Sequence, residues 1–445
     1  MTPFTESDLA AVGREAARSA WDGGMTVLRE GTFVPIPLVA EPVVYPAATL
    51  AALAREAHAI LSGAVKLARA LLARGDARDR AALLGPFTGL EAEAMERLFD
   101  EAPCPVVMAR VDFLPAAGDG ELPPALELNA TIPAMSGYSD LVAHAWLRAA
   151  ARARGKTPRQ ADELVAAAGS NMERLRRALC AFAVGRGVAR ARPSIAVVSR
   201  PADSQTGELG RLVEHLRQMG HPAEHLTPDA CDPACWDVLY RHVWAHKTPP
   251  ESPFAAALRH PARFVLANPV NGMLEAKALF ARLSEAGEDR SLADLAGLDE
   301  AERGAAGRLP FTRRLEPALA PRLLAERERW VLKRSWDYGG KSVHLGAELS
   351  PEAWRATVES ALGDERGGGF VAQERIVAER RPATRVTPDG LERAPLYHDV
   401  STYCGLGPCA PTGSVVRAAA SPIVNLLGGG GLAPVLSEEV IERLG

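Results

Sequence analysis

Two short segments, MARVDF (residues 108–113) and LELN (126–129), hold residue types that suit a divalent cation and a phosphate group. Side chains alternate between the faces of an extended strand, so Arg110 and Asp112 share a face of the first segment, and Glu127 and Asn129 share a face of the second. Their neighbours Val111, Phe113, Leu126 and Leu128 are apolar. Pairing across the Gly- and Pro-rich AAGDGELPP makes an antiparallel hairpin. One of its faces would pack, and the other would offer two carboxylates, an amide oxygen and a guanidinium. The three oxygen donors are hard ligands suited to Mg2+, and an adjacent arginine suits a bound phosphate. An exposed polar hairpin with an ordinary ion pair fits the same spacing.

The stretch LKRSWDYGGKSVHLG (332–346) is a second candidate. Of 51 basic residues only six are lysine, and three of these, Lys277, Lys333 and Lys341, fall within 65 positions. In a chain that relies on arginine for generic charge, a retained lysine hints at a use for a compact ammonium on a flexible stem. Lys333 ends the apolar run RWVLK, where its ammonium can reach a phosphate oxygen. Gly339, Gly340 and Lys341 lie in a loop whose glycines let backbone N–H groups approach phosphate. The GxxxxGK[ST] spacing of a P-loop is absent, and a glycine hairpin with solvated lysines is the alternative. FVAQERIV (370–377) reads as a strand that could meet an adenine edge, with Glu374 facing a ribose.

Other polar residues carry weaker signals. Arg241 could bind a substrate carboxylate or sit in a surface ion pair. His242 and His246 are four apart but on a strand, where that spacing makes no chelating face, so zinc is discounted. His398 and Asp399 are candidates for orienting a substrate. The six cysteines, Cys104, Cys180, Cys231, Cys235, Cys404 and Cys409, lack paired CxxC spacing and read as reduced core or loop residues.

These groups need a scaffold, and 445 residues suffice for two or three domains. A net charge of −4 gives no electrostatic argument for nucleic acid or an anionic membrane. The first residues lack the pattern of a signal peptide and no apolar run is long enough to span a bilayer, so a cytoplasmic protein is expected. Residues 1–103 read as mainly helical, with one long helix in AATLAALAREAHAILSGAVKLARALLARG stopping at Gly75. Residues 104–190 read as the polar hairpin followed by helices, and 191–270 as a small open α/β sheet. Residues 271–445 begin with a helix carrying Lys277 near its start. A charged segment at 285–309, helical or loosely held on the surface, precedes the lysine strand. A helix at 351–362, the FVAQERIV strand and a hairpin closing near TPDG come next.

Taken in order, RVDF, ELNATIP, DVLYRHV, NPVNGMLEAKALF, VLKRSWDYGGKSVHLG, FVAQERI and the Gly-rich terminus resemble a circularly permuted ATP-grasp protein of the glutathionylspermidine synthase-like group. The resemblance runs from about residue 104 to the C-terminus. It lies in the order of the motifs, since the metal-binding Glu-x-Asn here precedes the nucleotide lysines. The resemblance implies an α/β fold in which ATP and Mg2+ sit between two lobes, with a small pre-ATP-grasp-like domain. It also implies a ligase that joins a small-molecule carboxylate to an amine through an acyl phosphate. By the same resemblance Asp112, Glu127 and Asn129 become metal ligands, and Arg110 stabilises the transferring group. Lys277 and Lys333 contact phosphate, and Gln373, Glu374 and Ile376 flank adenine and ribose. Arg417 and Asn425, just ahead of GGGG (428–431), approach substrate or phosphate. Trp336 and Tyr338 depart from the small, polar phosphate loop the group usually has, and no hydrolase pattern precedes residue 104. An ATP-grasp kinase and a nucleotide-binding pseudoenzyme are the competing functions. The identity of the acid and amine, and the oligomeric state, are not legible.

Overall fold

The long helix forms over Ala47–Arg74 and ends where Gly75 turns left-handed at φ 76°, a conformation open to glycine at little cost. Leu53, Ala57, Ile60, Leu61, Ala64, Leu67, Ala68 and Leu71 recur at helical spacing on its buried face. That face packs on the strand Val400–Cys404 and on the helices Arg290–Ala296 and Glu300–Gly307. The computed structural model describes residues 4–445 except 97, 100–105, 117–121, 338, 411 and 427. Cys104 and Tyr338 lie outside the described residues.

The architecture is mixed α/β. Its largest sheet has eight strands in the order Gly390–His398, Arg381–Thr387, Leu38–Val39, Gly431–Ala433, Gly413–Ala419, Val400–Cys404, Ala109–Phe113 and Ala125–Asn129. The last two form the polar hairpin at one edge. Arg110 stands opposite Asn129 and Asp112 opposite Glu127, so all four share a face. A parallel four-stranded sheet runs in the order Leu266–Ala267, Val238–His242, Ile195–Ser199 and Ala223–Leu226. A third, antiparallel sheet runs Thr312–Arg314, Phe370–Glu374, Trp330–Arg334 and Val343–Leu345. Among the described residues no helix is long and apolar enough to cross a membrane.

Two features differ from the sequence expectation. Residues 26–45 hold four short strands, Thr26–Arg29, Thr32–Pro35, Leu38–Val39 and Val43–Tyr45, inside the stretch read as mainly helical. Thr26–Arg29 and Thr32–Pro35 pair around Glu30 and Gly31, both at positive φ as a tight hairpin turn requires. The other two pair with strands hundreds of residues away, which local periodicity cannot register. The 285–309 segment is helical but not loose, because Leu292, Ala293, Ala296, Ala305 and Ala306 are buried against the long helix.

Arg241 is neither a substrate ligand nor a surface ion pair. It is fully buried, and its guanidinium donates to the carbonyls of Asn268 (2.8 Å), Val243 (2.6 Å), Pro269 (2.8 Å) and Thr131 (3.5 Å). Burial, only partly opposed by Glu91 and Glu275, pushes its pKa down to about 10. Asn268, itself buried at φ 53°, accepts from Val107 N and Met108 N and donates to Met108 O. Together they fasten the parallel sheet to the approach of the polar hairpin. Replacing Arg241 with Met leaves several buried carbonyls unpaired, and a loss of about 3 kcal/mol or more in urea unfolding is expected.

Candidate functional site

The hairpin face is a charged array. Arg110 grips Asp112 with two bonds, Nε to Oδ1 at 2.7 Å and Nη2 to Oδ2 at 3.0 Å, and its Nη1 reaches Ala134 O at 3.1 Å. Arg417, two strands away, donates through Nη2 to Asp112 Oδ2 at 2.8 Å and through Nε to Asp399 Oδ2 at 2.8 Å. Asp112 and Asp399 are 1% and 2% exposed. Burial pushes both carboxyls up. For Asp112 the two guanidiniums outweigh burial and hold it well below the usual carboxylate range. Asp399 has only Arg417 and feels the Asp112 charge, so its pKa stays raised. The two carboxylates reverse the effect of burial on Arg417 and raise its pKa.

The lysines approach from other elements. Lys277, the first residue of the helix Lys277–Glu288, donates to Asp337 O at 3.1 Å and stands 3.5 Å from Glu127 Oε2. Lys333 is buried on the strand Trp330–Arg334, and its Nζ donates to Gln373 Oε1 at 2.6 Å. Gln373 Nε2 in turn donates to Thr312 Oγ1 (3.1 Å) and Leu126 O (3.3 Å), which fixes the amide with its oxygen toward the lysine. Burial pushes the Lys333 pKa down to about 8.

Fourteen of the residues given a role from the sequence line one cavity: Arg110, Asp112, Glu127, Asn129, Lys277, Lys333, Gly339, Gly340, Lys341, Gln373, Glu374, Ile376, Arg417 and Asn425. Gln373 faces Lys333 with its oxygen, so its amide is already engaged. Glu374 pairs with Arg329 at the rim. Gly339 and Gly340 are both left-handed, at φ 72° and 73°. A Cβ on Gly340 would lie 2.8 Å from Ile423 Cγ2 and 3.3 Å from Asn425 Nδ2, so the glycine loop rests on the C-terminal loop. Trp336 lines the cavity and packs edge-on against Phe87 (4.6 Å) and Trp244 (5.3 Å).

The donor set fits a hard divalent cation. Asp112 spends two guanidiniums' worth of acceptance, yet a carboxylate has about four lone-pair sites. The Glu127 side chain is 33% exposed, and the Asn129 amide is buried with its nitrogen unpartnered. The set is two carboxylates and an amide; among the described residues no three His, Cys, Asp or Glu cluster as metal ligands. His246 pairs with Glu91, and buried His242 has its pKa pushed down to about 4 by desolvation. Cys180, Cys231, Cys235, Cys404 and Cys409 are unpaired. His398 does not line the cavity, whereas Asp399 does.

Glu275 and Trp244 line the cavity and were passed over in the sequence. Glu275 sits two positions before Lys277, and the turn of short helix Gly272–Glu275 carries it inward. Its Oε1 accepts from Thr131 N.

No protein-family model and no curated protein matches the chain. Among solved structures, a glutathione synthetase-like effector from Globodera pallida, in apo form, superposes with a TM-score of 0.61 over 98% of each chain at 12% identity. The two share a fold. A putative gamma-glutamylcysteine synthetase from Methylobacillus flagellatus KT matches 81% of this chain and 95% of that one at 13% identity. Its TM-score is 0.39.

Burial pushes the Glu275 carboxyl up to about 7. A raised acid binds its proton more tightly in the native than in the unfolded state, so stability falls as pH climbs from the unfolded value near 4.3 to 7. Glu275→Gln keeps an acceptor for Thr131 N and removes that titration. Between pH 4 and pH 8, urea midpoints should show the parent losing roughly 3 kcal/mol relative to the variant. A pH-independent difference would reject the assignment.

Proposed function

We propose that the chain is an ATP-dependent carboxylate–amine ligase of the circularly permuted ATP-grasp type, acting on a small peptide or amino-acid-like substrate. The observation that carries this reading is the convergence of fourteen residues, spread from Arg110 to Asn425, on one cavity. The fold shared with a glutathione synthetase-like effector supports it. So does the chain order, with the Glu-x-Asn hairpin ahead of the helix that starts at Lys277 and the strand that holds Lys333.

In the proposed reaction a carboxylate oxygen of the acid attacks the γ-phosphorus of ATP, and the bond to the ADP oxygen breaks. The amine nitrogen then attacks the acyl carbon, releasing phosphate and a proton and leaving an amide. Phosphoryl transfer needs charge neutralisation and alignment more than covalent help. Lys277 and Lys333 neutralise phosphate oxygens from one side. Arg110 and Arg417, held rigid by Asp112 and Asp399, face the reacting group from the other. Asp112, Glu127 and Asn129 would hold Mg2+, which supplies further charge neutralisation on the phosphates. The Gly339–Gly340 loop covers the site and keeps water from the acyl phosphate.

Calorimetric titration should show Mg2+-dependent ATP binding to the parent, at least tenfold weaker in both Lys333→Ala and Glu127→Gln. With the correct acid, hydroxylamine should trap an acyl hydroxamate. A stable phosphorylated product would instead identify a kinase, and unchanged activity in Asp112→Asn and Glu127→Gln would remove the metal assignment. Gly340→Ala forces a side chain into a left-handed position against Ile423, at a cost of about 1 kcal/mol or more. Weaker nucleotide binding with a nearly unchanged melting temperature is expected, since the strain falls on the loop.

A further inference from the structure

A second cavity, of about 880 Å3, shares no lining residue with the first. It lies between the long helix Ala47–Arg74, the N-terminal turns of the helices Ser136–Ala153 and Asn171–Gly185, and the hairpin end joining Val400–Cys404 to Gly413–Ala419. Its volume is in the range of small-molecule sites. The walls are largely short side chains, including Ala51, Ala54, Ala143, Ala167 and Gly413.

The charges on these walls are unequally satisfied. Lys66 is neutralised by Glu302 at 2.7 Å and Asp299 at 3.7 Å. Asp140 accepts from Ser170 Oγ, Asn171 N and Met172 N at 2.6–3.0 Å. Arg174 has no such counterpart. It is partly buried, its Nη1 donates to the neutral Asn171 Oδ1 at 3.1 Å, and among the described residues it makes no ion pair. Burial pushes its pKa down, opposed in part by Asp140. Arg55, exposed on the long helix, lines the same cavity with neither hydrogen bond nor ion pair among the described residues. His58, one turn on, lines the same cavity with Nδ1 3.0 Å from Gly405 O.

A guanidinium drawn partly out of water with one neutral partner loses hydration that only an anion restores well. We propose that this cavity binds a small metabolite that presents an oxyanion, a carboxylate or a phosphate, to Arg174 and Arg55 and lays an uncharged body along the alanine-lined wall. Arginine suits the role because its planar fork matches both anions. The site is independent of the nucleotide reading, since it uses none of the same residues.

The test is calorimetric titration of sodium succinate and, separately, inorganic phosphate into the full chain and into Arg174→Gln, Arg55→Gln and Lys333→Ala. At least one probe should bind the parent, bind tenfold or more weakly to an arginine variant that keeps the parent's melting temperature, and bind Lys333→Ala as before. Binding of succinate alone identifies a carboxylate ligand, of phosphate alone a phosphoryl one, and of both the shared oxyanion chemistry. Because Arg55 is exposed, its variant folds even where Arg174→Gln does not. Retention in both arginine variants overturns the proposal, as does binding by neither probe or a loss confined to Lys333→Ala.

Discussion

A carboxylate that is 1% exposed cannot stay ionised without company, and Asp112 has two guanidiniums. Burying a charge costs several kcal/mol unless pairing and hydrogen bonds offset it, and removing one partner strands the other. Arg110, Asp112, Arg417 and Asp399 therefore stand or fall together. Arg110 and Asp112 share the strand Ala109–Phe113, Arg417 stands on Gly413–Ala419 and Asp399 in the connection before Val400–Cys404, so the register of those strands sets the geometry of the array. Each side chain is held before any ligand arrives, which is what electrostatic preorganisation requires.

The opposite wall is tied in by weaker bonds. Gln373 joins Lys333 to Thr312 within the antiparallel sheet and reaches Leu126 O on the hairpin strand, while Glu127 faces Lys277 across a gap of 3.5 Å. The cavity thus has one rigid, doubly ion-paired face and one face of buried or half-paired lysines. A lysine whose pKa has fallen to about 8 gains from an incoming anion, which restores what burial removed.

The polar hairpin was legible because its chemistry and its packing use the same period of two, and the turn between the strands is rich in Gly and Pro. The long helix was legible for the same kind of reason, ending at a glycine that its final turn needs. The three clustered lysines come from a helix start, a strand and a loop, and all three line the same cavity. What stayed hidden was anything decided by distant contacts. Leu38–Val39 is a strand only because strands near residues 386 and 432 flank it. Arg241 looks like a surface residue until four carbonyls surround it. Asp399 was a candidate in the sequence, but its bond to Arg417 was not legible there, and Glu275 comes from a short turn that no periodicity marks.

The two-residue strand Leu38–Val39 bears on how the chain must assemble. It sits inside the largest sheet, antiparallel to Arg381–Thr387 and parallel to Gly431–Ala433, so that sheet is incomplete until residue 38 meets residue 432. Closing so large a loop belongs among the slow steps of folding, and it cannot occur on the ribosome before residue 432 has emerged. Until then the neighbouring strands present unpaired edges, open to mispairing with other nascent chains.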